Sequence, residues 1–221
     1  VYKRQEVMWD DYWHEVTETV GVRAPLAGRH ALYVLIEAQG LSEAVDGPRF
    51  QSWIESQFEA GLIGDAAVSQ SMGDVAAFWA MRDACSEFGS RLGPHVAFDV
   101  GLPVARMDNF AKACKARLAE RVPNAFSVYY GHIGDGNLHL VALSRGASVQ
   151  PMGPISAAVY ETVRDFDGTI SAEHGIGLLK KSYLGHTRSP QELALMRRLK
   201  AAMDPQGILN PGKVFDMEDK A

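Results

Sequence analysis

Apolar and polar residues repeat with two different periods along this chain, and the changes between them predict alternating strands and helices. Segments rich in β-branched and aromatic residues are expected to be strands. Segments with apolar residues three or four positions apart are expected to be helices. The predicted strands are 30–38, 65–70, 95–103 and a short one within 168–177; the predicted helices are 9–19, 49–62, 74–88, 107–122, 153–166 and 189–204.

Several local signals refine these boundaries. Asp108 is expected to cap the helix over 107–122, and Ser189 with Glu192 forms the sequence pattern of a capping box. Lys180 and Lys181 are expected to form a solvated helix start. Helices between strands, together with one hairpin, predict an α+β fold. We expect an antiparallel or mixed sheet with helices packed mainly on one face, made of ferredoxin-like elements.

Composition excludes some classes of function. The net charge of −5 and the pI of about 5.8 argue against a general nucleic-acid surface. No apolar run reaches the roughly 20 residues of a membrane span. Cys85 and Cys114 lack metal-type spacing and suit helix packing in a reducing compartment, so the expected location is the cytoplasm. The start, VYKRQEV, lacks an initiator methionine, which suggests an entry partway through a longer polypeptide.

The stretch YYGHIGDGNLHL contains the first candidate chemistry. Asp135-Gly136 is typical of a two-residue type I′ hairpin turn, which would place His132 opposite His139. Opposed side chains have Cβ atoms roughly 4.5–5.5 Å apart, so the two imidazoles could share a divalent metal. The alternative is a surface hairpin whose histidines are incidental.

A second candidate lies in SAEHGIG, where Glu173 and His174 precede a glycine-rich bend. Two histidines and one glutamate form a common catalytic metal set, and the bend would let His174 face the substrate. The alternative is a glycine-rich surface turn.

Arg82, on the helix over 74–88, suits the binding of a substrate carboxylate, although such an arginine is often only solvated. Asp99 is either a capped strand end or a site residue.

Three motifs in this order, GHIGDGNLH, SAEHGIG and DPQGILNPGK, resemble the C-terminal domain of FAD-linked oxidases of the vanillyl-alcohol-oxidase type. That family includes the D-lactate, glycolate and D-2-hydroxyglutarate dehydrogenases. The resemblance covers nearly the whole chain, so residues 1–221 are expected to form one such domain, with the N-terminal FAD-binding domain missing. It implies oxidation of a D-2-hydroxy acid to a 2-oxo acid, with an electron acceptor that the sequence does not identify. A homodimer is one further partner to consider.

The resemblance also implies residue roles. His132, His139 and Glu173 match metal ligands, with zinc expected first and manganese or iron as alternatives. His174 matches the base that takes the hydroxyl proton. The remaining matches are Arg82 to the carboxylate-binding arginine, Ser86 to a hydroxyl-bearing substrate contact, and Asn210 to a residue near the flavin of the FAD.

Two departures from the D-2-hydroxyglutarate enzymes concern the substrate. Some of those enzymes have a lysine where this chain has Ala97 and an asparagine where it has Val141, which argues against dicarboxylate specificity. His95 could replace only part of the lost positive charge.

Two other functions compete with the dehydrogenase: a metal-dependent hydrolase using His132, His139 and Glu173, and a non-catalytic orphan cap domain. The chain has no nucleotide-binding motif, so by itself it is expected to be inactive and colourless.

Overall fold

The computed structural model describes residues 2–217, which contain seven α-helices and five strands. The fold is α+β, as the pattern of strands and helices predicts. The strands are β1 (Tyr2–Trp9), β2 (Leu32–Ala38), β3 (Val96–Gly101), β4 (Ala125–His132) and β5 (Asn137–Ser144). The helices are α1 (Asp10–His14), α2 (Glu43–Glu59), α3 (Met72–Asp83), α4 (Phe88–Arg91), α5 (Met107–Arg121), α6 (Met152–Asp165) and α7 (Pro190–Met203).

The strands form a sheet in the order β2-β1-β4-β5-β3, with antiparallel pairing. The described chain divides into two compact units. The first contains the residues up to Gly93 together with Val128–Gly134, and the second contains Pro94–Ser127 together with the residues from Asp135 onward. Within residues 2–217, no helix has both the length and the apolar character needed to cross a bilayer.

An aromatic cluster forms the core of the first unit. The Tyr12 ring is fully buried, and its hydroxyl donates to the carbonyl oxygen of Arg82 at 2.6 Å and of Met81 at 3.1 Å. Trp13 stacks on Tyr33 with ring centroids 3.7 Å apart. The hydrogen bonds of Tyr12 attach the segment that follows β1 to the end of α3, where Arg82 lies, and Trp13 packs the same segment against β2.

In the second unit, α5 and α6 present their apolar faces to a shared core. Phe110, Cys114 and Leu118 recur on the buried side of α5, as the helical spacing predicts. Phe98 of β3 contacts Tyr160 of α6 edge to face, with centroids 5.3 Å apart. Neither Cys85 nor Cys114 forms a disulfide within the described residues, and Cys114 packs within the core as expected.

Several sequence-based boundaries need correction. Residues 65–70 form no strand: Val68 is exposed, and the N–H of Gln70 donates to the side chain of Asp74 instead of a neighbouring strand. The predicted helix over 74–88 is interrupted by a 3-10 turn at Ala84–Glu87. β1 was not predicted: residues 2–8 were assigned no element, and Trp9 was placed in the predicted helix over 9–19.

Two predicted caps have different outcomes. Asp108 does not cap α5, whose N-cap is Arg106; its carboxylate accepts from Lys112 at 2.6 Å. The capping box of Ser189 and Glu192 at the start of α7 is present as predicted.

The histidine hairpin has a longer turn than predicted. β4 ends at His132 and β5 begins at Asn137, so four residues form the turn. Gly136 has a φ of +76°, but Asp135 is not in the left-handed region, so the type I′ prediction is wrong. The Asp135 carboxylate instead accepts the N–H of Asn137 at 2.9 Å, which is a local side-chain turn.

Candidate functional site

A carboxylate in the first unit joins two of the predicted site residues. Glu6 of β1 is buried, and its Oε2 accepts a hydrogen bond from Nε of Arg82 at 3.0 Å. Its Oε1 lies 2.9 Å from Nδ1 of His132, which is its cross-strand partner in β4. Nη2 of Arg82 lies 3.5 Å from Nε2 of His132. We call Glu6, Arg82 and His132 the Glu6 cluster.

Burial and charge hold Arg82 within the Glu6 cluster. The side chain of Arg82 is only 16% exposed, and its guanidinium lies over the Tyr130 ring at 5.7 Å. Burial acts to lower the pKa of Arg82, but the hydrogen bond and charge of Glu6 outweigh it and raise that pKa. Arg82 therefore stays a cation with one edge fixed by Glu6, which suits it to hold a substrate carboxylate.

Ser86 lies one helical turn beyond Arg82, in the 3-10 turn, as the predicted role requires. Its side chain is exposed and donates to the carbonyl oxygen of Asp83 at 2.8 Å. No contact in this unit shows a substrate role for Ser86, so that role stays a prediction.

A cavity of about 880 Å³ in the first unit lies apart from these residues. Phe50, Trp53, Phe78 and Trp79 contribute its aromatic lining, and Arg82 does not line it. This opening is therefore not where the predicted chemistry is.

The second unit contains another buried carboxylate, which accepts hydrogen bonds from the backbone around it. Asp99 of β3 is fully buried and is the cross-strand partner of His139 in β5. Its Oδ2 accepts the backbone N–H groups of Ala172, Glu173 and His174 at 3.1, 3.1 and 2.9 Å. Asp99 thus holds the backbone of residues 172–174 in this unit.

Lys180 balances the charge of Asp99. Its Nζ lies 3.3 Å from Oδ2 of Asp99 and donates to the Ser171 hydroxyl at 2.9 Å. The expected solvated helix start is therefore wrong for Lys180, which is buried. Burial alone would raise the pKa of Asp99, but the N–H donors, Lys180 and Ser171 lower it to about 2. Burial lowers the pKa of Lys180, and the charge of Asp99 partly opposes this.

The predicted base and two predicted metal ligands lie close to Asp99. The rings of His139 and His174 are nearly parallel, with centroids 6.1 Å apart. Nδ1 of His174 lies 3.9 Å from Oδ2 of Asp99, while 66% of the His174 side chain is exposed. Glu173 is also exposed. Asp99, Glu173 and His174 bring ligand atoms within 4.8 Å of one another, but Asp99 already accepts from backbone donors and a lysine, which suits it poorly to a metal.

Asn210 lies in the exposed tail after α7. Its φ of +45° is a conformation that asparagine tolerates better than most residues. Asp204 organises the start of this tail, because its carboxylate accepts from the N–H groups of Ile208 and Leu209 and from Lys200. The proximity of Asn210 to a flavin stays a prediction.

The predicted site residues are thus distributed over both units. Arg82, Ser86 and His132 belong to the first, and His139, Glu173, His174 and Asn210 belong to the second. The metal set of His132, His139 and Glu173 stays a prediction. Sequence reasoning missed Glu6 and Lys180. For Glu6 the sequence offered only a charged residue next to Val7, in a segment that was not assigned as a strand. For Lys180 the sequence offered no indication that its side chain is buried.

Comparison with known proteins agrees with the motifs. The sequence profile of a family described as FAD linked oxidases, C-terminal domain, matches residues 3–214. The D-2-hydroxyglutarate dehydrogenase of Xanthomonas citri pv. viticola is 38% identical over 204 residues, covering 90% of this chain and 43% of that protein. The mitochondrial D-2-hydroxyglutarate dehydrogenases of Arabidopsis thaliana and Bos taurus are 35% and 38% identical, covering 88% and 83% of this chain and 34% and 33% of those proteins.

The chain therefore spans less than half the length of these curated relatives. The matched family is nevertheless the one that the three motifs indicate, and the match extends over almost every residue that the structure describes. This chain belongs to the family of FAD-linked oxidase C-terminal domains.

Proposed function

We propose that this chain is the substrate-binding half of a flavin-dependent dehydrogenase that oxidises a D-2-hydroxy acid to a 2-oxo acid. The observation that carries the proposal is the Glu6 cluster. In it the buried carboxylate of Glu6 contacts both Arg82 and His132, the proposed carboxylate-binding residue and a proposed metal ligand. Family membership supports the flavin, and the names of the relatives support the 2-hydroxy acid.

Arg82 is the residue that binds the substrate carboxylate in this proposal. Glu6 holds Nε, so the Nη atoms form the edge of the guanidinium that can donate to an incoming carboxylate. A fixed arginine orients the hydroxy acid, and orientation is a large part of the rate advantage in such a reaction.

A divalent metal would be held by His132, His139 and Glu173, with zinc as the first candidate and manganese or iron as alternatives. Two imidazoles and a carboxylate are a donor set that zinc prefers. The contact between Nδ1 of His132 and Glu6 supports this, because metal-binding histidines usually donate their second N–H to such an acceptor. When bound, the ion supplies positive charge that lowers the pKa of the substrate hydroxyl.

His174 accepts the hydroxyl proton in this proposal. The Asp99 carboxylate lies 3.9 Å from Nδ1 of His174, which leaves Nε2 as the nitrogen further from that carboxylate. Nε2 is then the ring nitrogen that takes the proton from the substrate. The flavin of FAD, with Asn210 near it, supplies the two-electron acceptor, and the residues of this chain supply binding, orientation and the base.

The substrate class within 2-hydroxy acids has two opposing indications. The named relatives act on D-2-hydroxyglutarate, a dicarboxylate. Ala97 and Val141, the two departures from that pattern, are cross-strand partners in β3 and β5. Neither side chain carries a polar group, so these two positions offer nothing to a second carboxylate. We therefore propose a monocarboxylic D-2-hydroxy acid such as D-lactate.

The test uses the complete protein loaded with FAD and zinc under anaerobic conditions. The flavin absorbance is expected to bleach with D-lactate, to bleach more slowly with D-2-hydroxyglutarate, and to stay unchanged with L-lactate as the matched control. Faster bleaching by D-2-hydroxyglutarate would overturn the monocarboxylate assignment alone. No bleaching by any D-2-hydroxy acid would overturn the dehydrogenase, and ester hydrolysis by the zinc-loaded, flavin-free protein would support the hydrolase instead.

A further inference from the structure

The carboxylate of Asp99 contacts three consecutive backbone N–H groups, those of residues 172–174. The distances are 2.9–3.1 Å to Oδ2, and the N–H of Glu173 also lies 3.2 Å from Oδ1. Successive N–H groups that converge on one anion form a nest, a concave site that binds negative charge. Here the anion is a side chain of the protein itself.

The other contacts of Asp99 complete this arrangement. The Ser171 hydroxyl donates to Oδ2 at 3.1 Å and Lys180 lies at 3.3 Å, and Lys180 also donates to the carbonyl oxygen of Asp99 at 3.2 Å. The carboxylate is fully buried, so each donor offsets part of its desolvation. Asp99 is fully engaged by these donors, so we assign it no role as a metal ligand or a base.

The segment that Asp99 contacts is not part of a helix or strand that would fix its backbone. Residues 171–176 lie in no helix or strand, and the only bridge nearby joins Gly101 to Thr169. Gly175 and Gly177 have φ values of +76° and +54°, and a Cβ at either position would meet no atom within 4 Å. Their positive φ angles let the chain turn away immediately after the three N–H groups.

We propose that Asp99 is a positioning residue, whose carboxylate sets the backbone of residues 172–174 and so the directions of the Glu173 and His174 side chains. The proposal rests on the proposed roles of Glu173 and His174. Asp99 acts through the backbone and does not touch the reacting atoms. Because adjacent side chains normally point to opposite sides of an extended strand, two neighbours that serve one reaction need a backbone held in a different shape.

The variant Asp99→Asn tests this in the complete protein with FAD and zinc. The amide replaces one acceptor oxygen by an N–H₂ group that faces N–H donors. We expect kcat for the preferred D-2-hydroxy acid to fall about 10²-fold, the cost of a misplacement of about 1 Å. KM should change by less than about 3-fold, because Arg82, which binds the carboxylate, is on another segment.

Hydrogen exchange supplies a readout that is independent of activity. Amide exchange at residues 172–174 should accelerate in Asp99→Asn, both with zinc and after chelation. The control is Asp74→Asn, which removes a carboxylate that accepts a backbone N–H of Gln70 in the other unit. It should leave kcat and the exchange of 172–174 unchanged.

Ser171→Ala keeps the proposal falsifiable if Asp99→Asn does not fold. It removes one hydrogen bond to Asp99, so kcat should fall about 2- to 10-fold, with a smaller acceleration of exchange. Unchanged exchange at 172–174 in the folded variants, or faster exchange with kcat retained within about 2-fold, would overturn the positioning role. If His174→Ala itself leaves kcat unchanged, the proposed function fails, and the exchange result alone then decides whether Asp99 sets this backbone.

Discussion

Glu6 and His132 are cross-strand partners of β1 and β4, and the carboxylate of Glu6 lies 2.9 Å from Nδ1 of the His132 ring. The second oxygen of the same carboxylate accepts from Arg82. One buried group thus orients both the proposed substrate-binding arginine and a proposed metal ligand. A carboxylate behind a metal-binding histidine fixes its tautomer and increases its basicity.

Replacing Glu6 by glutamine should weaken metal binding. We expect zinc affinity to fall about 10- to 100-fold, because the amide is a weaker acceptor for Nδ1–H and no longer balances Arg82. Competition with a chelator, followed by metal analysis, measures the change. Glu37→Gln is the matched control, since Glu37 accepts from Trp79 in the same unit and should bind zinc normally. Wild-type zinc affinity in Glu6→Gln would contradict the proposed role of His132.

Replacing Arg82 by lysine should impair substrate binding more than the chemical step. Lysine keeps the charge but loses the planar guanidinium that Glu6 holds. We expect kcat/KM for the hydroxy acid to fall about 10- to 100-fold, mainly through KM, as for the loss of one charge-assisted hydrogen bond. Steady-state kinetics measures it, with the exposed Arg91→Lys in α4 as control. An unchanged KM would show that another cation binds the carboxylate.

Two alanine variants should separate the base from a metal ligand. His174→Ala should keep the zinc and lose about 10²- to 10⁴-fold of turnover, the usual contribution of a general base. His132→Ala should lose zinc and activity together. Metal content by mass spectrometry is compared with turnover for both. If His174→Ala empties the site, and its activity falls no further than metal loss explains, then His174 is a ligand.

The ion pair between Arg117 of α5 and Asp165 of α6 should give a pH-dependent contribution to stability. Nη2 of Arg117 lies 2.7 Å from Oδ2 of Asp165, and this hydrogen bond lowers the pKa of Asp165. A carboxyl pKa that is lower in the folded state stabilises the protein above the unfolded value of about 3.9. The contribution is lost as the pH falls from that value through the lowered pKa.

Asp165→Asn should therefore lower the melting temperature at pH 7 by no more than about 3 °C. The pair is partly exposed, with 27% and 37% of the two side chains accessible, so its contribution stays below about 1 kcal/mol. The difference from wild type should shrink below about pH 4. In an Arg117→Gln background the same substitution should have a smaller effect. A constant difference at all pH values would show that the charge of Asp165 is not responsible.

The sequence by itself determined several local elements and the family. The sequence predicted a helix over 107–122, and in α5 the residues Phe110, Cys114 and Leu118 lie on one buried face, as a helix with that spacing requires. Ser189 and Glu192 predicted the start of α7, because a capping box needs only residues within one turn. The motifs containing His132 and His174 indicated the family, which the comparisons then showed.

Tertiary structure decided which residues hold the site residues in place. Glu6 reaches Arg82 across 76 residues of chain and His132 across 126 residues. Asp99 reaches the backbone of residues 172–174 across 73 to 75 residues. No local spacing predicts such contacts, because strand pairing and burial bring these groups together. A buried carboxylate then needs the donors that the fold supplies, whatever their distance along the chain.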